Sequence, residues 1–189
     1  MSTVILYIAA SLDGFIARSD GDISWLTKYQ GGKEDYGYGD FYKNVGVSIM
    51  GAKTYEKSLT RNGGIDKKMP TYVITGRKLQ TVANADITFY SGNLSKLVKQ
   101  IRAETKKNIW LVGGGQIAQS FLKENLVDEI VLAIIPIILG EGISLFGSVK
   151  EEVDFVLVAT KSYKSGIVQT HYRLKSKRKQ PRNRMPRMP

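Results

Sequence analysis

Three short clusters in this 189-residue chain carry the groups that a phosphorylated ligand needs. Val112-Gly113-Gly114-Gly115-Gln116 follows an apolar run and precedes a helical pattern. Three successive glycines there leave backbone N–H groups bare at a helix start, where the dipole attracts an anion. Met50-Gly51-Ala52-Lys53-Thr54-Tyr55 repeats the arrangement, with Gly51 for close approach, Lys53 as a point charge and Thr54 as a hydroxyl donor. Thr75-Gly76-Arg77-Lys78 adds a guanidinium whose planar fork grips phosphate through parallel hydrogen bonds. Each has a plainer reading: the glycine triplet as a tight strand-to-helix connection, the other two as helix caps or solvated corners. Their recurrence at three strand ends points to an extended ligand with several phosphates, and the two basic clusters favour NADPH over NADH. The triplet is not the usual G-x-G-x-x-G fingerprint, because Ala118 stands three positions after Gly115.

Ala9-Ala10-Ser11-Leu12-Asp13-Gly14-Phe15-Ile16-Ala17 places small residues and an Asp-Gly bend at another strand end, the edge at which open α/β sheets hold ligands. Taken alone it reads as a turn. The sequence has no Cys and one His, His171, so no thiolate site, disulfide or metal centre is expected. His171 lies in a strand pattern and is given no role.

The elements that must position these groups are legible in the apolar pattern. Strands are expected at Val4 to Ala10, Val45 to Met50, Tyr72 to Thr75, Ile87 to Tyr90, Asn108 to Val112 and Glu129 to Ile138. Helices are expected at Asn93 to Thr105 and Gln116 to Asn125, with a third beginning near Lys53. This alternation implies right-handed crossovers and a mostly parallel sheet between helical layers. Phe155 to Ser162 and Ile167 to Leu174, joined by Tyr163-Lys164-Ser165-Gly166, read as a closing antiparallel hairpin. That exposed ribbon supports a C2 homodimer as an expectation. One α/β domain over 1–174 is expected, followed by a flexible tail over 175–189.

The tail holds seven of the chain's positive charges and no acid, which leaves +4 of the net +11 on the rest. A basic surface raises the prospect of nucleic acid, but the tail lacks the interleaved aromatic residues that stack on bases. A nucleic-acid partner is therefore not expected. No apolar run reaches the roughly 20 residues of a membrane span, and the start shows no leader pattern, so a cytoplasmic protein with no membrane partner is expected.

In this order, the segments resemble the dihydrofolate reductase superfamily, and most closely the branch with the reductase domain of riboflavin-biosynthesis deaminase-reductases. The marks are Ala9 to Gly14 with Ile16-Ala17, Ser24-Trp25-Leu26, Met50 to Glu56, Tyr72 to Arg77, Val112 to Ile117 and Leu139-Gly140-Glu141-Gly142. The resemblance implies a three-layer α/β/α fold with NADPH laid across the strand ends. Gly113, Gly114, Gly115, Gln116 and Ile117 would face the pyrophosphate, and Gly51, Lys53 and Thr54 the phosphates from the other side. Thr75, Gly76 and Arg77 would hold the adenosine 2′-phosphate, and Ala10, Ile16 and Val112 would flank the nicotinamide. A small heteroaromatic substrate, pterin-like or aminopyrimidine, would lie between Asp13, Trp25 and the segment Asp35 to Tyr42, with Tyr38 among its contacts and Trp25 stacking on it. The same analogy implies a cis peptide at Gly113-Gly114.

Counting back from Met50-Gly51 without gaps brings Asp35 to the family's catalytic carboxylate, with Asp40 taking over if the helix register shifts. In an apolar pocket such an acid would have a raised pKa and help protonate a C=N nitrogen. The plainer alternative is that both acids cap or flank a short helix. Two departures bear on the substrate. Lys53 to Ser58 stands where the riboflavin-pathway reductases carry a Thr-Val run leading to Asp-Pro, and no folate-clamping Arg is present, since Arg61 follows the wrong element and Arg77 is assigned to the cofactor. The function expected is an NADPH-dependent reductase of the 5-amino-6-(5-phosphoribosylamino)uracil reductase type. The alternatives are a non-catalytic nucleotide- or drug-binding protein on the same fold and a nucleic-acid-binding module using the tail.

Overall fold

The computed structural model describes residues 2–29, 34–60, 64–147 and 152–175, so the predicted basic tail beyond residue 175 and Arg61 lie outside the described residues. In chain order the elements are β1 (Val4–Ser11), β2 (Phe15–Ala17), a 3-10 helix (Ser24–Tyr29), α1 (Tyr38–Lys43), β3 (Val45–Gly51) and α2 (Ala52–Leu59). There follow β4 (Thr71–Ile74), β5 (Ile87–Tyr90), α3 (Leu94–Glu104), β6 (Asn108–Gly113), α4 (Gly115–Lys123), β7 (Glu129–Ile135), β8 (Ile143–Ser144), β9 (Phe155–Ser162) and β10 (Val168–Leu174).

Eight strands form one sheet in the spatial order β5-β4-β3-β6-β1-β7-β10-β9. The pairs from β5 to β7 are all parallel, and β10 joins β7 antiparallel with β9 at the edge. Period-two alternation sorts the side chains of the central strands. Val4, Leu6, Ile109 and Leu111 point to one face, where they meet Leu97, Val98 and Ile101 of α3 and Ile117, Phe121 and Leu122 of α4. Burial of each such side chain stabilises the fold by roughly 1.5–3 kcal/mol. Tyr7, Ala9, Trp110 and Val112 point to the opposite face, the side of α1 and α2. On that side Tyr55 of α2 is fully buried with Met50 and Val73. The sandwich of helices around a mostly parallel sheet is the expected architecture.

Three details differ from the sequence reading. β7 ends at Ile135 rather than Ile138, because Pro136 has no N–H to continue the ladder and Leu12 N–H instead bonds the Ile137 carbonyl at 2.8 Å. The two-stranded sheet of β2 with β8 was not anticipated, because segments of three and two residues show no periodicity. The closing hairpin is a true edge: Val156, Leu157 and Val158 of β9 are 46%, 58% and 44% exposed. Among the described residues no helix is long and apolar enough to cross a membrane.

Candidate active site

β4, β3 and β6 are parallel neighbours, so their C-terminal ends share one edge of the sheet. That edge gathers all three clusters singled out in the sequence. Met50 pairs with Gly113 and Gly51 with Ile74, which sets the glycine turn, the start of α2 and the Thr75–Arg77 corner side by side. The Gly113-Gly114 peptide is cis, as the resemblance implied, and Gly113 has φ +111°, a value that excludes a bulky side chain.

α4 begins directly from this turn. Gly114 is its N-cap and offers no side-chain hydrogen bond, so no side chain caps the first-turn amides. One amide expected to be bare is not: Gly114 N–H donates to Thr54 Oγ at 2.8 Å. Thr54 therefore holds the turn in place while its own hydroxyl proton stays free to donate. Gly115 is packed from behind, since a Cβ there would lie 2.7 Å from the carbonyl oxygen of Ser144 in β8. Gly51 has space, since a Cβ there would meet nothing closer than 3.8 Å, so its backbone can be approached closely.

α2 ties this edge together through four successive residues. Besides Thr54, the Tyr55 hydroxyl donates to the Gln80 carbonyl at 2.5 Å, Glu56 accepts from the Arg77 guanidinium at 2.8 Å, and Lys57 donates to the Asp20 carbonyl at 3.0 Å. The Glu56 contact was not foreseen. It occupies one edge of the Arg77 fork and leaves the remaining guanidinium donors for an anion. Lys53, exposed in the first turn of α2, has no ion-pair partner among the described residues. Uncapped helix amides, approachable glycine backbone, a hydroxyl and two cations on one rim match the donor set that a dinucleotide's phosphates require.

Next to the rim, the face of the central strands is incompletely covered. Tyr7 and Ala9 of β1 and Trp110 and Val112 of β6 are only half-buried, although both strands are flanked on each side by others. Strand alternation corrects one assignment here: Ala10 is 2% exposed and turned into the α3/α4 core, so the side chain open beside Val112 is that of Ala9. Ile16 of β2 packs on the edge of the same core.

A group of aromatic rings lies on this face, between α1 and the sheet. Tyr7 stacks on Phe41 with centroids 4.2 Å apart, and Tyr38 meets Tyr7 and Trp110 edge-on at 6.1 and 5.8 Å. The Tyr7 hydroxyl donates to the Tyr36 carbonyl at 3.1 Å and accepts from Gln169 Nε2 at 3.1 Å, while Gln169 also reaches the Tyr36 carbonyl at 3.0 Å. Burial pushes the Tyr7 and Tyr38 phenols above their ordinary pKa, with Asp35 and Asp66 respectively adding to the effect. Of this cluster the sequence reading named Tyr38 and the segment that holds Phe41, but not Tyr7, Trp110 or Gln169. The one available signal was an aromatic residue interrupting each of two otherwise aliphatic strands.

Two expected substrate contacts take other places. Trp25 is 5% exposed and packs with Ile135 and Ile167, so it presents no open ring face for stacking. Asp13 binds the chain itself. It accepts from the Ser11 hydroxyl at 2.6 Å and from the amide of Gly140 at 2.8 Å, with Leu139 N–H also within reach. The Ser11 hydroxyl and these amides hold its carboxyl below the usual carboxylate range.

The expected acid is corrected as well. Asp35 lies before α1 rather than on it and is exposed. Its two oxygens accept from the amides of Gly37 and Gly39 at 2.9 and 3.0 Å, and those bonds lower its pKa instead of raising it. The φ of +77° at Gly37 makes that cap possible. Asp40, the substitute, is on the helix but 88% exposed and paired with Lys43 at 3.0 Å. Neither carboxylate is buried.

The chain is similar in sequence and fold to known proteins. The sequence profile of the RibD C-terminal domain matches residues 2–169. The chain is 38% identical over 170 residues to the uncharacterized protein YwjB of Bacillus subtilis, covering 89% of this chain and 95% of that one. A solved structure from Shewanella sp. PV-4, provisionally assigned by name to riboflavin biosynthesis, is similar with TM-score 0.83 and 27% identity over 93% of this chain and 99% of its own. A dihydrofolate reductase from Enterococcus faecalis, complexed with NADP(H), shares the fold with TM-score 0.62 and 13% identity over 91% of this chain and 96% of that one.

Proposed function

The chain belongs to the RibD C-terminal domain family, and from that premise we propose that it is an NADPH-dependent reductase of a small pterin-like or aminopyrimidine substrate. The observation that carries the reading is the meeting of three phosphate-type clusters on adjacent parallel strands, beside a half-covered sheet face that carries aromatic side chains.

In this reading the N-terminus of α4 with Gly113, Gly114, Gly115, Gln116 and Ile117 holds the pyrophosphate, and Gly51, Lys53 and Thr54 close on it from α2. Arg77, with Thr75 and Gly76, takes the 2′-phosphate, oriented by Glu56 on its far side. Ala9, Val112 and Ile16 border the nicotinamide. NADPH supplies the hydride when bound. The protein's work is to place the ring beside the aromatic side chains, limit water, and favour charge at the reacting nitrogen. Reduction of a C=N bond adds hydride to carbon and a proton to nitrogen. Asp35, ionised because two amides hold its carboxylate, favours the protonated form of that nitrogen through space, and the proton comes from solvent.

That ionised Asp35 favours a second reading, a nucleotide-binding protein without turnover, because the site then lacks a carboxylic acid. One experiment addresses both. Thermal shifts with NADPH and NADH report cofactor binding, and loss of reduced-nicotinamide absorbance with dihydropterins and aminopyrimidines reports turnover. Greater stabilisation by NADPH together with substrate-dependent oxidation is expected. Equal shifts with the two cofactors would overturn the cofactor assignment, and stabilisation without oxidation would favour the binding protein.

A further inference from the structure

We propose that β9 is the docking edge for a second copy of this chain, which pairs with it antiparallel across a two-fold axis so that two eight-stranded sheets continue as one. The edge lies apart from the strand-end rim, and the pairing does not depend on the chain being a reductase.

The sheet has two edges, and they differ. β5 spans four residues, and its apolar side chains Ile87, Phe89 and Tyr90 pack against the core clusters. β9 spans eight, pairs only with β10 among the described residues, and shows Val156, Leu157 and Val158 to solvent in an unbroken run. Its outer N–H and C=O groups form a template for a further strand, which would bond them and cover the three apolar side chains together. Monomeric proteins guard such an edge with a proline, an inward charge, a lysine or a bulge. β9 has no Pro and no acid, and its lysine, Lys161, stands near the end of the strand with its ammonium 4.5 Å from the centre of the Tyr163 ring. A bulge opposite His171 and Tyr172 leaves Val158 without a partner on β10, yet Val158 extends the exposed apolar run instead of shielding it.

Charge identifies the occupant. Glu152 and Asp154 precede β9, Lys161 stands near its end and Lys164 just beyond, and all four are exposed. A parallel strand of the same sequence would set acid beside acid and base beside base. An antiparallel copy sets the acidic end of each strand against the basic end of the other, twice over, as an isologous interface requires. The cations on β10 and after it do not cancel this pattern. Arg173 is paired with Glu129, and Lys175 meets Asp154 only at 3.7 Å with both side chains largely in solvent. The pairing also bears on the candidate site: the hairpin carries Tyr163 and Gln169, joined at 3.3 Å, and Gln169 holds the Tyr7 hydroxyl. A second copy on β9 would brace that hairpin from outside.

The test is sedimentation velocity with light scattering on the intact chain over about 1–100 µM, where a dimer is expected. Leu157→Lys with Val158→Lys should raise the dimer dissociation constant about 30-fold or more, with the far-UV circular dichroism of the parent retained. Glu152→Lys with Asp154→Lys, and separately Lys161→Glu with Lys164→Glu, should each weaken self-association about tenfold or more, because like charges then face each other. An equimolar mixture of these two charge variants should recover a dimer as tight as the parent's, since every like pair becomes an opposite one. A monomer throughout the range would overturn the proposal. So would a dimer that the apolar variant leaves unchanged, or a mixture of charge variants no tighter than either alone. If the apolar variant fails to fold, the charge-variant mixture decides by itself.

Discussion

The strand-end rim offers backbone amides, one hydroxyl and two cations, whereas the sheet face beside it offers aromatic rings. The rim is stiff by construction: Thr54 is bonded to Gly114, Arg77 to Glu56, and Gly115 is backed by β8. The sheet face is held by packing, with Tyr38 left partly open. Phosphate recognition needs fixed donors and charge, so it tolerates little change in geometry. Ring recognition needs area, so losses there should be graded.

That contrast can be broken experimentally. The largest effect is expected from Lys53→Ala combined with Arg77→Ala. Each removes charged hydrogen bonds worth about 1.5–3 kcal/mol, so NADPH affinity should fall roughly 100-fold or more. NADH, which shares the pyrophosphate but lacks the 2′-phosphate, should lose only the Lys53 contribution, and equal losses in competitive titrations would place the 2′-phosphate elsewhere.

Gly115→Ala comes next. The new methyl must displace backbone of β8, so a stability loss of about 1–3 kcal/mol in urea unfolding is expected, together with weaker binding of both cofactors. An unchanged midpoint would show that the rim yields more easily than its packing implies.

On the sheet face, Tyr38→Ala should cost roughly 0.5–1.5 kcal/mol of ring contact. That appears as a higher substrate KM, with the Kd for NADPH held within about twofold. A shift in cofactor affinity of the same size would mean that rim and face are not separate.

Asp35→Asn should have the smallest effect and a distinctive pH dependence. The folded-state pKa of Asp35 is lowered, so its stabilising contribution is present above the unfolded value of about 3.9 and fades as pH falls through the lower folded value. The variant should therefore melt earlier than the parent at pH 7 and together with it near pH 2. Turnover between pH 5 and 8 should keep its profile. Loss of an acid limb in the variant would restore Asp35 as the proton donor.

The same contrast explains what could be read from the sequence. Each rim cluster is continuous, three or four residues long, and sits where an apolar run stops, so Gly113 to Gln116, Gly51 to Thr54 and Thr75 to Arg77 announced themselves. The parallel sheet followed from strand and helix alternation. The face beside the rim is assembled from Tyr7, Phe41, Trp110 and Gln169, which are far apart in the chain and meet only through strand order and register. Asp35 misled because an ungapped count fixes position but not helix length. α1 begins at Tyr38, so the carboxylate ends up as a cap outside the helix.

α2 gives three loops a single mechanical origin. Thr54 fastens the turn at Gly114, Tyr55 and Glu56 together fasten the β4–β5 connection at Gln80 and Arg77, and Lys57 fastens the segment at Asp20. Tilting or sliding this two-turn element would retune the anchorage of all three at once, so substitutions that loosen its seating should trade off several properties in concert. Natural variation in ligand preference is then better accommodated on α1, where a ring can be exchanged without disturbing that shared lever.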